Sequence, residues 1–136
     1  MRTLAKLVTI GLVAFVTACG GDGINDPGNS VAGTYALKTV NGAALPAVIF
    51  ETGGYKVEVV AANYVLAAAG KFSTSATFRE TEAGVVTQST ETATGTYSVN
   101  GTTITFTDSD GEVFSAVLSG NDLQFSEDGL TAVYTR

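Results

Sequence analysis

Few residues in this chain can do chemistry, and the residue types that are missing narrow the choice further. The 136-residue sequence contains a single cysteine, Cys19, and neither histidine nor tryptophan. Nucleophilic catalysis needs a base beside the nucleophile, and zinc and other transition metals favour histidine and cysteine ligands. Serine and threonine are plentiful, but none stands out from the rest. We therefore expect no nucleophile-and-base constellation and no transition-metal site.

Two groups of acidic residues remain as candidates. Residues 108–112 (Asp-Ser-Asp-Gly-Glu) have the carboxylate density that calcium prefers, but they lack the spacing of a full calcium loop and stand where a hairpin turn is required. Glu80, Glu82 and Glu91 fall on one face of the predicted sheet, as the carboxylate pair of a glycosidase would. Such pairs work in sugar-binding clefts that usually carry aromatic platforms, and the chain has no tryptophan. We expect no enzyme, no metal site and no cofactor.

The N-terminus carries the strongest pattern in the sequence. Residues 1–6 include two cations and no acid, and residues 7–16 are apolar except for Thr9 and Gly11. This is the charged region and short apolar region of a secretory signal. It is shorter than the roughly 20 apolar residues that a membrane-spanning helix needs. The signal ends at residues 16–19, Val-Thr-Ala-Cys.

Val-Thr-Ala-Cys resembles the lipobox of bacterial lipoproteins, in which an aliphatic residue and two small residues precede a lipid-modified cysteine. The resemblance implies that residues 1–18 are removed and that Cys19 then carries a diacylglycerol on sulfur and an acyl chain on its amino group. Several acyl chains together anchor a protein stably in a membrane. In Gram-negative families an aspartate directly after the cysteine retains the lipoprotein at the inner membrane. Gly20 stands there, which favours the outer membrane; an ordinary signal with an unmodified cysteine is the alternative.

The rest of the chain divides into a tether and one domain. Residues 19–32 are rich in glycine and turn residues and are predicted to be a flexible tether. The full chain has a net charge of −6, and removing the signal with its two cations makes the remainder more acidic. Such a surface repels nucleic acid and anionic lipid head groups, so we expect no nucleic-acid partner.

Residues 33–136 show short alternating runs separated by turn signals, the pattern of an antiparallel all-β sandwich or barrel. No helical periodicity persists, although Leu45–Phe50 has the alternative of a helical turn or plug segment. The strands are predicted near residues 33–41, 46–51, 55–61, 63–68, 71–82, 85–99, 102–107, 112–118, 122–126 and 130–135.

Turn chemistry predicts the register of the middle hairpins. Asn100-Gly101 is expected to form a two-residue type I′ turn that sets Tyr97 opposite Ile104 and Gly95 opposite Phe106. Ala83-Gly84 should pair Glu82 with Val85, Ser109-Asp110-Gly111 should form a three-residue hairpin, and Gly120-Asn121 should place Leu123 and Phe125 inward. For the last hairpin, either Leu130, Ala132 and Tyr134 or Thr131, Val133 and Thr135 point inward.

One continuous inner face follows from these registers. It supplies the candidate ligand-lining residues Phe72, Phe78, Glu91, Tyr97, Ile104, Phe106 and Phe114. Glu91 could orient the polar end of a ligand. A bulge near Gly95 is expected because the strand around it is unusually long, and such a bulge would turn Glu91 outward.

The segment 33–42 (Gly-Thr-Tyr-Ala-Leu-Lys-Thr-Val-Asn-Gly), followed by Leu45-Pro46, resembles the first strand of lipocalin-like bacterial lipoproteins. The resemblance implies an antiparallel, up-and-down calycin-type barrel of about eight to ten strands with a small apolar ligand inside. Tyr35 stands where that family usually has tryptophan, and Arg136 is the best candidate for the arginine that packs on it.

Two functions are consistent with these patterns. The favoured one is a lipid-anchored, non-enzymatic module of the cell envelope that binds a small hydrophobic ligand inside the barrel. The alternative is an envelope protein with a filled core, which contacts another protein through its outer surface. Small barrels fill with side chains, and slightly wider ones hold a ligand, so the width of the interior separates the two.

Overall fold

In the computed structural model, which describes residues 31–136, ten strands form a single antiparallel sheet. The predictions for residues 1–18, for Cys19 and for most of the tether lie outside the described residues. The strands are β1 Gly33–Val40, β2 Ala43–Ala44, β3 Ala47–Thr52, β4 Tyr55–Leu66, β5 Lys71–Glu82, β6 Val85–Asn100, β7 Thr103–Asp108, β8 Val113–Ser119, β9 Asp122–Glu127 and β10 Leu130–Thr135.

The sheet closes on itself because β1 has partners on both sides. Its last residues pair with β10, and residues 33–36 pair with residues 63–66 of β4. From β4 to β10 each strand pairs with the next in sequence. The result is the predicted all-β, closed, eight-stranded up-and-down barrel, and β2 and β3 are short additions at its seam.

Glycine-containing turns connect most of the strands, as predicted. In the loop Ala83-Gly84 both residues have positive φ, 50° and 82°, the signature of a type I′ turn, and Glu82 pairs with Val85 as expected. At Ser109-Asp110-Gly111 the glycine takes the left-handed conformation, with φ 85°. The N–H of Asp108 donates to the carbonyl of Glu112 across this three-residue loop. Both registers were correctly predicted.

The turn predicted at Asn100-Gly101 is displaced by one residue. Asn100 pairs with Thr103, so the loop residues are Gly101 and Thr102. Only Gly101 of these two has positive φ, at 61°, which fits a type II′ turn with glycine first. Tyr97 therefore lies opposite Phe106, not Ile104. The partner of each β6 residue on β7 is therefore two positions further along the chain than predicted. A shift of two residues leaves every side chain on its predicted face.

Three strand predictions need correction. The bulge expected near Gly95 is absent, because β5 and β6 pair without interruption from Lys71–Thr96 to Glu82–Val85. A bulge lies instead in β4, between Val59 and Ala61, and it joins the two strands predicted at 55–61 and 63–68 into one. The two-residue β2 was not predicted, whereas the strand predicted at 46–51 is confirmed as residues 47–52, in place of the alternative helical turn or plug.

The core lies inside the barrel and includes both ends of the described chain. Tyr134 is fully buried, and Leu130 and Ala132 pack against the core, so the first of the two options for the last hairpin is correct. Val31 is also buried, and its carbonyl accepts a hydrogen bond of 2.7 Å from the Tyr35 hydroxyl. The packed domain therefore begins at least two residues before Gly33, within the predicted tether.

Gly95 lies where β7 joins β6. A Cβ atom at this position would collide with the backbone carbonyl of Thr107 and would lie 2.7 Å from the Phe72 ring and 2.8 Å from the Asp108 Cα. Residues 95–100 of β6 pair with β7, and residues 85–94 do not. Glycine at this position therefore lets β7 approach β6 closely without a clash, at the point where residues 85–94 of β6 lose contact with β7.

Gly95→Ala is expected to lower the free energy of unfolding by about 3 kcal/mol, because the added methyl group overpacks a site bounded by backbone atoms. The measurement is urea denaturation. Gly84→Ala is the matched control: nothing lies within 4 Å of its added Cβ, but its φ is +82°, so only backbone strain of about 1 kcal/mol is expected. Equal losses at the two sites would contradict the steric role of Gly95.

Candidate functional site: the barrel interior and the projecting sheet

The structure buries six of the seven predicted ligand-lining residues in one hydrophobic core. All six are at most 6% exposed: Phe72, Phe78, Tyr97, Ile104, Phe106 and Phe114. They lie on the inner faces of β5 to β8, on the face that turn chemistry assigns to them. Glu91 is the exception, since it is exposed to solvent.

Aromatic rings that contact one another occupy the interior. The rings of Phe106 and Phe114 are stacked with centroids 5.2 Å apart, and Phe72 meets Phe106 edge to face at the same distance. Tyr64 stacks on Phe125 at 4.8 Å. These are the separations at which aromatic pairs attract one another. An eight-stranded barrel is just wide enough to be filled by side chains, and these rings contact one another in its interior.

Two tyrosine hydroxyls are buried in this aromatic cluster without a hydrogen-bond partner. Tyr64 and Tyr134 meet edge to face, with ring centroids 5.1 Å apart, and neither hydroxyl reaches a partner within the described residues. Burial raises the pKa of Tyr64 well above its usual range, the Tyr134 hydroxyl raises it further, and the Thr74 hydroxyl nearby lowers it. Burial likewise raises the pKa of Tyr134. Both hydroxyls therefore stay neutral and can donate to a polar atom placed beside them.

The barrel seam is held by Tyr35 and Arg136, the pair that the resemblance implied. The Arg136 guanidinium lies 5.4 Å from the centroid of the Tyr35 ring, within the range of a cation–π interaction. Its Nη1 also donates to the Ala32 carbonyl at 3.1 Å. The side chain thus ties β10 to the residues that precede β1, and the prediction of Arg136 as the packing partner is confirmed.

Beyond the barrel wall, four strand segments continue as one sheet. This projecting sheet consists of β3 and of residues 55–60, 77–82 and 85–94 of β4, β5 and β6. Glu91 belongs to it. It pairs with buried Ala76, so it has the inward parity of an unbulged strand. It is exposed nevertheless, because β7 pairs with β6 only from Gly95 onward.

An ion-pair cluster stabilises the outer face of the projecting sheet. Arg79 Nε donates to Glu58 Oε2 at 2.9 Å, and Lys56 Nζ lies 3.5 Å from Oε1 of the same carboxylate. The hydrogen bond from Arg79 is the main cause that lowers the pKa of Glu58, and the positive charges of Arg79 and Lys56 add to it against partial desolvation. The Glu58 side chain is only 9% exposed, so the two cations cover it.

The acidic stretch 108–112 forms a hairpin turn. Oδ1 of Asp108 accepts the backbone N–H groups of Asp110 and Glu112, each at 2.9 Å. An aspartate that bonds to backbone two residues on is a standard turn device. In the part of the chain that the structure describes, no three potential ligands cluster as a metal site would require. The hairpin interpretation of this stretch is therefore the one that the geometry supports.

Sequence reasoning missed Tyr64 as an interior residue. Its strand was divided in two at the β4 bulge, and this division left residues 63–66 without a register. The alternation of Ala62, Tyr64 and Leu66, all buried, was the signal that could have found it.

Comparison with protein-family models, with curated proteins and with solved structures gives no match to this chain. Among residues 31–136 no helix has the length and apolar character to cross a membrane.

Tyr134→Phe is expected to change the free energy of unfolding by no more than about 0.5 kcal/mol, or to raise it, because it removes a buried hydroxyl that has no partner. Tyr35→Phe is the matched control. It removes a hydroxyl that donates to Val31 at 2.7 Å, and it should cost about 1–2 kcal/mol.

Urea denaturation of the two variants measures the difference, with an unchanged denaturant slope showing that the unfolding transition is comparable. If Tyr134→Phe costs as much as Tyr35→Phe, the Tyr134 hydroxyl has a partner in the folded protein. A polar group inside the barrel, from an ordered water or a guest molecule, would then be that partner.

Proposed function

We propose that this chain is a non-enzymatic lipoprotein of the bacterial cell envelope, anchored through Cys19, whose side-chain-filled barrel supports a protein-binding strand edge on the projecting sheet. The outer membrane is the favoured location, because Gly20 rather than an aspartate follows the cysteine. The anchor comes from the lipobox resemblance at residues 16–19, and the mode of action comes from the packing of the barrel.

The contact of aromatic rings inside the barrel is the observation that carries this choice. Four of the residues predicted to line a ligand site, Phe72, Tyr97, Phe106 and Phe114, pack against one another at 5.2–6.2 Å between centroids. A hydrophobic ligand in the same space would have to separate rings that are in van der Waals contact, which forfeits attraction already present in the folded chain. Of the two functions that the sequence allows, this favours the protein with a filled core.

The outer surface offers a place where another molecule could bind, which a filled barrel interior does not. Val85 and Val86, at the start of β6, are 67% and 60% exposed. They belong to residues 85–94, which pair with β5 on one side and with no strand of residues 31–136 on the other. An unpaired strand edge binds another strand through backbone hydrogen bonds, a common mode of protein recognition.

A small hydrophobic ligand inside the barrel is the second candidate function. One observation favours it: the buried hydroxyls of Tyr64 and Tyr134 have no partner among the described residues, and a buried hydroxyl left unpaired costs about 1–3 kcal/mol. A ligand with a polar end between these hydroxyls would recover that cost. Glu91, which is exposed on the projecting sheet, would not contact such a ligand.

Cys19→Ala is expected to abolish lipid attachment and membrane retention in a Gram-negative host. The wild-type chain should incorporate an alkyne-labelled fatty acid and sediment with membranes, because acyl chains on Cys19 hold it there. Ala18→Ser is the control, since it keeps a small residue before the cysteine and should behave as the wild type does. Equal labelling of Cys19→Ala and wild type, or none in either, would contradict the anchor.

A further inference from the structure

The first half of β6 presents backbone groups that have no partner. Residues 85–96 pair with β5 along their whole length, and β7 pairs only with residues 95–100. On the side away from β5, residues 85–93 therefore form an unpaired strand edge within the described chain. We call this segment of β6 the free edge.

The register fixes which residues of the free edge point outward. In a two-residue hairpin the residues that flank the turn, Glu82 and Val85, exchange hydrogen bonds, and the pattern then alternates along the strand. Odd-numbered residues of β6 therefore bond to β5, as the N–H of Tyr97 does to Gly70 at 2.8 Å. Even-numbered residues point away, and the carbonyl of Thr94 accordingly accepts the N–H of Ser109 at 2.9 Å. Val86, Gln88, Thr90 and Thr92 are left with outward N–H and C=O groups.

The free edge lacks most of the features by which proteins protect such edges from pairing, although it carries one charge, Glu91. Residues 86–92 contain no lysine and no proline, and Glu91 is their only charged residue. The pairing of β6 with β5 continues through them without a bulge. The opposite edge of the projecting sheet differs, since β3 shows a register shift between Val48 and Phe50. Bulges, lysine and proline are the usual means of preventing strand addition, and β6 has none of them here.

We propose that two copies of this chain associate by antiparallel pairing of their free edges about a two-fold axis at Ser89. In this register Val86 lies opposite Thr92 of the second copy, and Gln88 opposite Thr90. Each such pair contributes two hydrogen bonds, so every outward-pointing residue of the edge is satisfied. This inference deepens the proposed function and rests on it, because it names the second copy as the partner strand.

The self-pairing is compatible with the charges and with the length of the edge. Glu91 lies opposite Thr87 of the second copy, so the two Glu91 side chains are about 13 Å apart along the strands. That exceeds the screening length of about 10 Å at 0.1 M salt. Val85 lies opposite Ala93 of the second copy. The Ala83-Gly84 turn of one copy therefore lies beside Thr94 of the other, where the hydrogen bond from Ser109 ends the open edge. Moving the axis to Glu91 would set like charges opposite each other.

The two projecting sheets then become one. Strands β3 to β6 of one copy continue into β6 to β3 of the other, and the two barrels lie at opposite ends. The exposed Val85 and Val86 of each copy lie within the shared sheet. A two-fold arrangement of this kind closes after two copies, so it produces a dimer and not a fibre.

Disulfide trapping at the proposed axis tests the inference in the full chain, kept in the membranes of a Gram-negative host. Ser89→Cys places two thiols across a non-hydrogen-bonded pair, where Cα atoms are about 4.5 Å apart, a separation that a disulfide can span. Thr87→Cys is the matched control, because the two copies of residue 87 are about 13 Å apart. We expect at least about tenfold more covalent dimer with Ser89→Cys than with Thr87→Cys under mild oxidation.

A second variant separates pairing at the edge from chance collision. Gln88→Pro removes an outward N–H that makes no bond to β5, so the fold tolerates it. Combined with Ser89→Cys it should reduce the covalent dimer to the level of Thr87→Cys. Equal dimer at both cysteine positions, no dimer at Ser89→Cys, or a product whose mass includes a different protein would overturn the pairing of two copies.

The chain without added cysteine keeps this result distinct from the proposed anchor. An acylated Cys19 has no thiol, so the wild type should give no disulfide-linked product. A covalent dimer of the wild type would contradict the lipid anchor. The edge pairing would still be tested by comparing Ser89→Cys with Thr87→Cys.

Discussion

Close approach of β5, β6 and β7 at Gly95 is the constraint on which the rest of the structure depends. Three groups converge on this glycine, the Phe72 ring and the backbones of Thr107 and Asp108, and no side chain fits among them. The convergence lets Phe72 reach the rings inside the barrel. It also sets the point at which β7 begins to follow β6. One glycine thus divides β6 into a half that builds the barrel wall and a half that extends beyond it.

The two halves of β6 differ in their surroundings: one half lies in the barrel wall around the aromatic rings, and the other lies at an open strand edge. On the barrel side, rings from several strands contact one another and fill the interior, which leaves the unpartnered hydroxyls of Tyr64 and Tyr134 as its polar groups without a hydrogen bond. On the projecting side, backbone groups of residues 86–92 lie at an open edge. Among the described residues, nearly all polar groups inside the molecule have hydrogen-bond partners, whereas the outward backbone groups of the edge do not. That difference is what supports the proposed surface function.

Local chemistry made much of this fold predictable. Glycine turns and alternating polarity predict the strands of residues 71–135 to within one residue, because a two-residue turn fixes both the ends and the parity of its hairpin. The error at Asn100-Gly101 did little harm, since a shift of two residues preserves every face. The β4 bulge was not predictable from the run of apolar residues around it, and Tyr64 was missed with it.

The position of Glu91 shows where reasoning from local sequence ends. The Ala83-Gly84 turn determines which face of the sheet Glu91 lies on, and in the structure Glu91 lies on that face, opposite Ala76. Its exposure depends on where β7 leaves β6, which is decided by contacts between Gly95, Phe72 and residues 107–108 that are distant in sequence. Burial inside a barrel requires strands on both sides, and parity alone does not supply them. Turn register alone consequently gave Glu91 an inner-face position, although the segment 85–94 lies at an edge.

Native mass spectrometry of the full chain, extracted from membranes in mild detergent, tests the filled interior most directly. The account predicts masses of the lipidated chain, alone or as a dimer, that carry no further small molecule, because the aromatic rings already occupy the barrel. A discrete additional mass, bound once per chain and lost on denaturation, would contradict it. That result would favour the ligand-binding function over the filled interior.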